Sequence, residues 1–598
     1  APMRSRRHAP PGRREVSAHG IRVVRRRLRR EGFRQVSCEA ANGAVCLSGE
    51  VSSWEDRIAA GYIGATVMCR GVINDVTVSG AAEPPMSIPN VRDTALDGCE
   101  YDVAIVGGGV IGCAIARELS RYDLRIIVLE KEDDVAVHTS SRNDGMIHPG
   151  FAPKPGTAKA WYNARGNRMY TALAEELGFK LARPGSIVLF RKWWFRLLLP
   201  VMFLRCRQNG VAGPVRYLTN RAVRKLEPNV SGARHGALFF PSTGIVNPFE
   251  VTIALAENAV QNGVEFAFET AVAGMELDQS EGAPRIRAVN TNRGTIRVRA
   301  VVNAAGNWAD AVAEMARDRF FTIHGRRGVD VITDKRLGTT QRHVLSKPEL
   351  LGAERTHSKG GGLVPTLDGN LLAGPTVRET RDREDYGTTP DEFAEISGLL
   401  DLNGAVTDDA IITYFAGVRP ATFTEDFAVG PSTRVSNLVH AAGIQSPGLA
   451  SAPAIAGDVA DAVVTILSRS GKVAAREPFI GRLKPRVDVS RLNLEERAAL
   501  IAERKDYSRT VCRCEDVTEG EIRDALRSPL GVRSVDAIKR RTRAGAGRCH
   551  GGFCLPRILE IIHDETGIPL SQIRKKSGSS FVVAGETKEA LPVEPIHG

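Results

Sequence analysis

The segment YDVAIVGGGVIGCAIARELSRYDLRIIVLEKE, residues 101–132, constrains the fold more tightly than any other part of this 598-residue chain. It reads as strand, turn, helix and strand. Val103–Val106 is an apolar run suited to a parallel strand buried on both faces. Gly107, Gly108, Gly109 and Gly112 follow it. Gly107 permits a tight turn, Gly109 lets the backbone approach a pyrophosphate, and Gly112 lets helix and strand pack closely. The N-terminus of that helix offers free N–H groups and a positive dipole end to bound phosphates. Arg125–Leu129 is the second strand. Glu130, with Lys131 beside it, stands where an acid accepts hydrogen bonds from ribose hydroxyls. The combination specifies a dinucleotide-binding α/β domain and favours FAD or NAD over NADP, without separating those two.

One such domain does not account for the chain, because single cores stop growing near about 300 residues. With 42% hydrophobic and 25% charged residues, the composition is that of a soluble globular protein. It excludes collagen-like, disordered and multi-span membrane classes. No segment reads as the roughly 20-residue apolar span of a membrane helix. The longest apolar candidate, Trp193–Leu204, contains Arg196 and Pro200. The net charge of +12 is uneven: residues 1–30 hold eleven Arg and one acid, Glu15, which leaves +2 for the rest. The basicity therefore belongs to an arm, and no nucleic-acid partner is expected. The N-terminus lacks the apolar core of a secretory signal. Six scattered cysteines and one late group of four suit a reducing compartment and a metal site. The expected location is cytoplasmic, with peripheral contact on the inner face of the cell membrane.

Residues 1–15 form the Arg/Pro-rich arm and 16–80 a small α/β unit. A proline-bearing linker (81–100) leads into a long α/β region (101–469). A second linker (470–505) precedes a last compact unit (506–578), where Thr518-x-x-Glu521 is a capping-box helix start. Residues 579–598 are a tail. In the first unit, AVCLSGEV after the Asn42–Gly43 turn, followed later by GVINDVTVSG, resembles a BON module. That resemblance implies binding to membranes, lipids or partner proteins.

Two later segments separate FAD from NAD. VVNAAGNWAD (Val301–Asp310) and HAAGIQSPGLASAPAIAGDVADAV (His440–Val463) resemble, in order, the second and the C-terminal flavin motifs of the D-amino-acid-oxidase-like FAD enzymes. HTSSRNDGMIHPGF (His138–Phe151) resembles the pyrophosphate and flavin-face loop of one branch, that of glycerol-3-phosphate dehydrogenase A subunits and L-2-hydroxyglutarate oxidases. RRGV (Arg326–Val329), GLVPTLDGNLLAGPT (Gly362–Thr376) and GVRPAT (Gly417–Thr422) continue the match. Asp144 departs from the Ser or His usual in that branch, which leaves the substrate open. The resemblance implies that FAD is held by the glycine turn, Glu130 and Lys131, and by Ser140, Ser141, Arg142, Asn143 and Gly145 of the loop. It adds Val272, Ala305, Gly306 and Trp308, then Gly443, Gln445, Ser446, Pro447, Gly448 and Leu449.

Oxidation of a secondary alcohol or amine by hydride transfer to flavin needs a base and a cation for an anionic substrate. His148 is the candidate base, since a neutral imidazole near pH 7 suits proton abstraction. Arg419 is the candidate anion clamp, because guanidinium grips carboxylate or phosphate bidentately. Arg326 is the candidate second cation.

Cys512-x-Cys514 and Cys549-x4-Cys554 lie in VCRCEDVT and TRAGAGRCHGGFC. These strings resemble the BFD-like 2Fe–2S domain, which implies a cluster on the four thiolates. A structural zinc would more commonly use C-x2–4-C knuckles. Arg541, Arg543 and Arg548 stand close enough in sequence to offset cluster charge.

The expected fold class is α/β: a Rossmann-type FAD-binding domain with a mixed-sheet α+β substrate domain, a small N-terminal α/β module and a small helical iron–sulfur domain. The expected function is a FAD-dependent dehydrogenase acting on a small anionic substrate, sn-glycerol 3-phosphate by resemblance, with electrons leaving through the cluster to a partner subunit or quinone. Two alternatives stay open: a 2-hydroxy acid or amino acid dehydrogenase, and a non-catalytic electron-transfer or membrane-docked scaffold subunit.

Overall fold

A computed structural model describes residues 15–280, 282–347 and 361–585. Residues 1–14 of the basic arm and 586–598 of the tail lie outside the described residues. The chain forms two compact units, residues 1–131 with 135–484, and residues 132–134 with 485–598.

The first unit is built on a parallel sheet. Glu265–Ala267, Ile126–Leu129, Glu100–Val106, Gly294–Asn303 and Leu438–Ala442 lie side by side, each neighbouring pair parallel. Val103, Ala104 and Ile105 are fully buried, as a strand covered on both faces requires. Helix Val110–Leu119 starts directly after the glycine turn. A Cβ on Gly112 would lie 1.9 Å from the Gly107 carbonyl oxygen, so only glycine lets the helix sit so close. Gly107 itself has φ +109, open to glycine alone.

The expected mixed sheet is a second, nine-stranded sheet. Its strand Ile323–Thr333 pairs antiparallel with Ile411–Thr422, and Val344–Ser346 pairs parallel with Ser186–Leu189. One expectation is corrected. Helix Gly448–Leu467, with its extension to Ser470, is long and apolar enough to cross a membrane by length and composition. Small side chains such as Ala450, Ala454 and Ala456 hid it from a reading that sought bulky apolar runs. The helix is mostly buried inside the unit.

Residues 16–80 fold in the expected order. Helices Ala18–Arg30 and Trp54–Gly64 accompany strands Ser37–Ala41, Ala44–Val51 and Gly71–Val78, the last two parallel. Ser17 and Ser53 cap the two helices through their side chains. The core of this module, with Val24, Leu28, Val45 and Leu47, also takes in Phe423 from the far end of the chain. Residues 81–100, expected as a linker, are tied down: Glu83 pairs with Arg57 and Arg383.

The second unit has helices Glu519–Leu526, Val535–Thr542 and Leu555–Thr566 around one core. The Thr518/Glu521 capping box is formed. The expected linker 470–505 contains helix Leu494–Glu503, started by an equivalent box from Asn493 and Glu496.

Candidate active site

Along Ile323–Thr333, alternate residues share a face. His324, Arg326, Gly328 and Asp330 stand opposite Ala421, Arg419, Gly417 and Phe415 of the partner strand. The two glycines make room on that face. A Cβ on Gly417 would lie 2.3 Å from the Arg142 carbonyl oxygen, and one on Gly328 would lie 2.4 Å from the Arg419 guanidinium. Gly417 thereby admits the backbone of loop His138–Phe151, and Gly328 admits the guanidinium.

Arg419 is half-buried, and its guanidinium donates to the carbonyl oxygens of Thr376 at 2.8 Å, Arg326 at 3.4 Å and Arg327 at 3.5 Å. Burial, then the nearby charge of Arg326, pushes its pKa down to about 10. Asp330 is fully buried. Burial and then Asp144 push its carboxyl well above the usual carboxylate range, against the pull of Arg419. Arg419 thus donates only to backbone carbonyl oxygens, while the carboxyls of Asp330, Asp144 and Glu379 act on it through space.

Arg326 is not available as the expected second grip. Its Nε donates to Glu379 at 2.9 Å, Nη1 to Gln445 at 3.0 Å and Glu425 at 3.3 Å, and Nη2 to Glu425 at 2.6 Å and to Tyr62 Oη at 2.5 Å. These five bonds use the five N–H groups of the guanidinium. Burial works against the charge, but Glu425 and its neighbours hold the group firmly protonated. Tyr62 in turn donates to Glu425 at 2.8 Å. Arg327 likewise pairs with Asp385 and Glu392.

His148 Nε2 lies 3.4 Å from Ser446 Oγ. Its carbonyl oxygen accepts from Asn163 Nδ2 at 2.8 Å and Asn167 Nδ2 at 3.0 Å, both on helix Ala158–Leu177. Gln445 and Ser446 therefore join the Arg326 network to the histidine, and Gly448 and Leu449 begin helix Gly448–Leu467 behind them.

A cleft beside the glycine turn is lined by Gly107, Gly109, Glu130, Lys131, Ser140, Val272, Ala305, Gly306 and Trp308. Ser140 Oγ accepts from the Val110 amide at the helix N-terminus, and Glu130 accepts from the Gly108 amide at 2.6 Å. Ser141, Arg142 and Asn143 mainly brace the loop: Arg142 donates to Ala416, and Asn143 joins Thr139, Ser140 and Gly145. Bare backbone at the helix start with an acid beyond it fits a dinucleotide. Met86 and Thr270 also line the cleft and carry no motif.

In the second unit the sulfurs form a chain. Cys512 lies 3.8 Å from Cys514, Cys514 lies 3.7 Å from Cys549, and Cys554 interacts with Cys512. Burial and then Cys512 push Cys514 up to about 12, whereas backbone N–H groups lower Cys549 and the Cys512 side chain lowers Cys554. No three metal-binding side chains among the described residues converge on a single ion. An extended string of four thiols fits a two-iron cluster better than one tetrahedral zinc. A Cβ on Gly547 would lie 2.5 Å from Cys514 Sγ. The expected charge offset is corrected: Arg541 is paired with Asp134 at 2.7 Å and Arg543 with Glu515 at 2.7 Å, both within this unit.

A dinucleotide cleft, a basic strand pair and a four-thiol domain together define a redox flavoprotein. Residues 102–462 match the FAD dependent oxidoreductase (DAO) family, and residues 510–564 match the BFD-like [2Fe-2S] binding domain. The chain belongs to that FAD-dependent oxidoreductase family and carries a 2Fe–2S domain. It is 38% identical to a glycerol 3-phosphate dehydrogenase of Caloramator mitchellensis, over 82% of this chain and 100% of the relative. It is 31% identical to a glycerol 3-phosphate oxidase of Mycoplasma pneumoniae, over 59% of this chain and 92% of the relative. Dithionite-reduced L-alpha-glycerophosphate oxidase from Mycoplasma pneumoniae with FAD bound superposes with a TM-score of 0.59 at 28% identity, covering 64% of this chain and 98% of that one.

Tyr62, Glu379, Glu425 and Asp330 escaped the sequence reading. The period-two run His324, Arg326, Gly328, Asp330 was a legible signal for the last of them. Tyr62 left none, because its partners lie more than 260 residues away.

Proposed function

We propose that the protein oxidises sn-glycerol 3-phosphate to dihydroxyacetone phosphate and passes the electrons to a partner subunit or quinone. The observation that carries this reading is Arg419, a desolvated guanidinium whose hydrogen-bond partners are all neutral carbonyl oxygens. A phosphate monoester supplies the missing anion and accepts two parallel N–H bonds. His148, held by Asn163 and Asn167, takes the hydroxyl proton at Nε2, with the Ser446 hydroxyl beside it. FAD held at the Gly107–Gly112 turn and Glu130 would supply a two-electron acceptor for the carbinol hydrogen, and a 2Fe–2S cluster on Cys512, Cys514, Cys549 and Cys554 would supply one-electron transfer onward. An enzyme returning electrons directly to O₂ has no use for a cluster, which supports a dehydrogenase rather than an oxidase.

The test is turnover with a dye acceptor. Glycerol 3-phosphate is the expected substrate; activity confined to L-2-hydroxyglutarate or another 2-hydroxy acid overturns the assignment, and none with any such acid favours a non-catalytic relay. The αββαβ order of residues 16–80 supports a BON-like module. Six scattered cysteines, none in a disulfide, and four grouped for a cluster support a reducing, cytoplasmic location.

A further inference from the structure

The segment RKWWFRLLLPVMFLRC, residues 191–206, takes no part in the site above. It forms a 3₁₀ turn, Trp193–Leu198, continuing into helix Leu199–Asn209. Its two faces differ in environment but not in polarity. Inward, Phe195, Met202 and Cys206 are buried against Phe190, Leu238 and Phe240. Outward, Trp193, Leu197, Val201 and Leu204 recur at helical spacing and are 63%, 69%, 63% and 54% exposed. Phe203 borders them at 38%. The inner packing anchors the segment, so the outer row is not a frayed end. A row of large apolar side chains facing water marks an interaction surface.

The charge around this row is one-sided. Between Leu177 and Leu226 the chain has eleven Lys or Arg and no Asp or Glu. Arg191, Lys192, Arg196 and Arg207, nearest the row, are exposed. Apolar residues with an indole at one end, on a stretch of chain that carries cations and no acids, match the interfacial zone of an anionic bilayer. We propose that this face lies on the surface of an anionic membrane, with Leu197, Val201 and Leu204 entering the acyl boundary and the arginines meeting lipid phosphates. This goes beyond the proposed reaction and does not depend on its substrate.

The test is sedimentation of the full chain with phosphatidylcholine vesicles, with and without phosphatidylglycerol. Binding is expected to the anionic vesicles and to weaken with salt. The triple variant Leu197→Gln, Val201→Gln, Leu204→Gln is expected to partition at least about tenfold less. Lys192→Glu with Arg207→Glu is expected to remove the preference for the anionic vesicles. Trp193 emission, taken by difference from Trp193→Phe, should shift to the blue on binding. Dye-linked turnover in solution should stay unchanged in every variant, which shows that the fold is intact and separates this test from that of the reaction. No binding to anionic vesicles overturns the proposal and leaves the face to a protein partner. Binding that the triple variant does not weaken also overturns it and locates the contact elsewhere on the chain.

Discussion

The modules at the two ends of this chain are joined to their surroundings by different physics. The N-terminal module shares its core with the flavin body. Phe423 fills it, a Cβ on Gly61 would strike that phenyl ring, Thr322 donates its backbone N–H to Val72, and Arg70 lies over Phe320. The iron–sulfur unit instead closes a core drawn from residues 511–583 alone. A module with its own core is separable; one that borrows core residues is part of what it touches. Tyr62 shows the consequence, since a residue of the small module completes the hydrogen bonding of Arg326.

The largest effect that could break this contrast is deletion. Removal of residues 15–80 exposes Phe320 and Phe423 and is expected to abolish soluble, flavin-loaded protein. Removal of residues 485–598 is expected to leave a protein whose flavin still bleaches with glycerol 3-phosphate. The reverse pattern, read by flavin absorbance, would refute the contrast.

Point variants sharpen it. In the body, His148→Gln is expected to lower kcat by about 10²–10⁴ with flavin retained. Arg419→Ala should raise KM by about 10²-fold, through loss of a buried charge pair with substrate. In the outlet, Cys514→Ser should remove the cluster's paramagnetic signal and acceptor-linked turnover while sparing flavin bleaching by substrate.

Tyr62→Phe has a smaller effect. It leaves one Arg326 N–H without its acceptor and takes one of two donors from the Glu425 oxygen, which is expected to lower stability by about 1–3 kcal/mol. A detached module would give no change in a denaturant titration.

The smallest effect separates two buried aspartates, one in each unit. Burial opposes the charge of Asp134, but Arg541 and Arg540 pull its pKa down to about 2. Its folded value lies below the unfolded one. Its contribution, about 2 kcal/mol, is therefore present above pH 4 and lost as pH falls toward 2. Asp330 has the opposite sign: burial raises it, so its ionisation opposes folding as pH rises. Asp330→Asn is expected to cost less stability at pH 7 than Asp134→Asn, which should destabilise. Urea titrations at pH 7 and pH 3 would distinguish them.

Local signals in the sequence were reliable where one short segment carries all the information. The glycine turn, the capping box at Thr518 and the cysteine spacing each concern neighbours in the chain. The capping box at Asn493 is equally local, and it starts a helix inside the expected linker. Arg326 shows the limit. Its motif context pointed to a substrate grip, but the carboxylates that engage it come from Glu379 and Glu425, and sequence adjacency says nothing about which cation an acid will meet.

The sequence by itself determined the chemistry this chain is equipped for: a dinucleotide cradle from Gly107 to Glu130, four thiols for a cluster, and a histidine and arginines of the right kinds. Only the tertiary structure decided which of those groups is free to act. It committed Arg326, Arg541 and Arg543 to internal acids, held Arg419 among carbonyls, and turned one apolar face of residues 193–204 outward. The reason is that a charge or an apolar surface acquires its role from what desolvates and neutralises it, and those partners are brought together by folding.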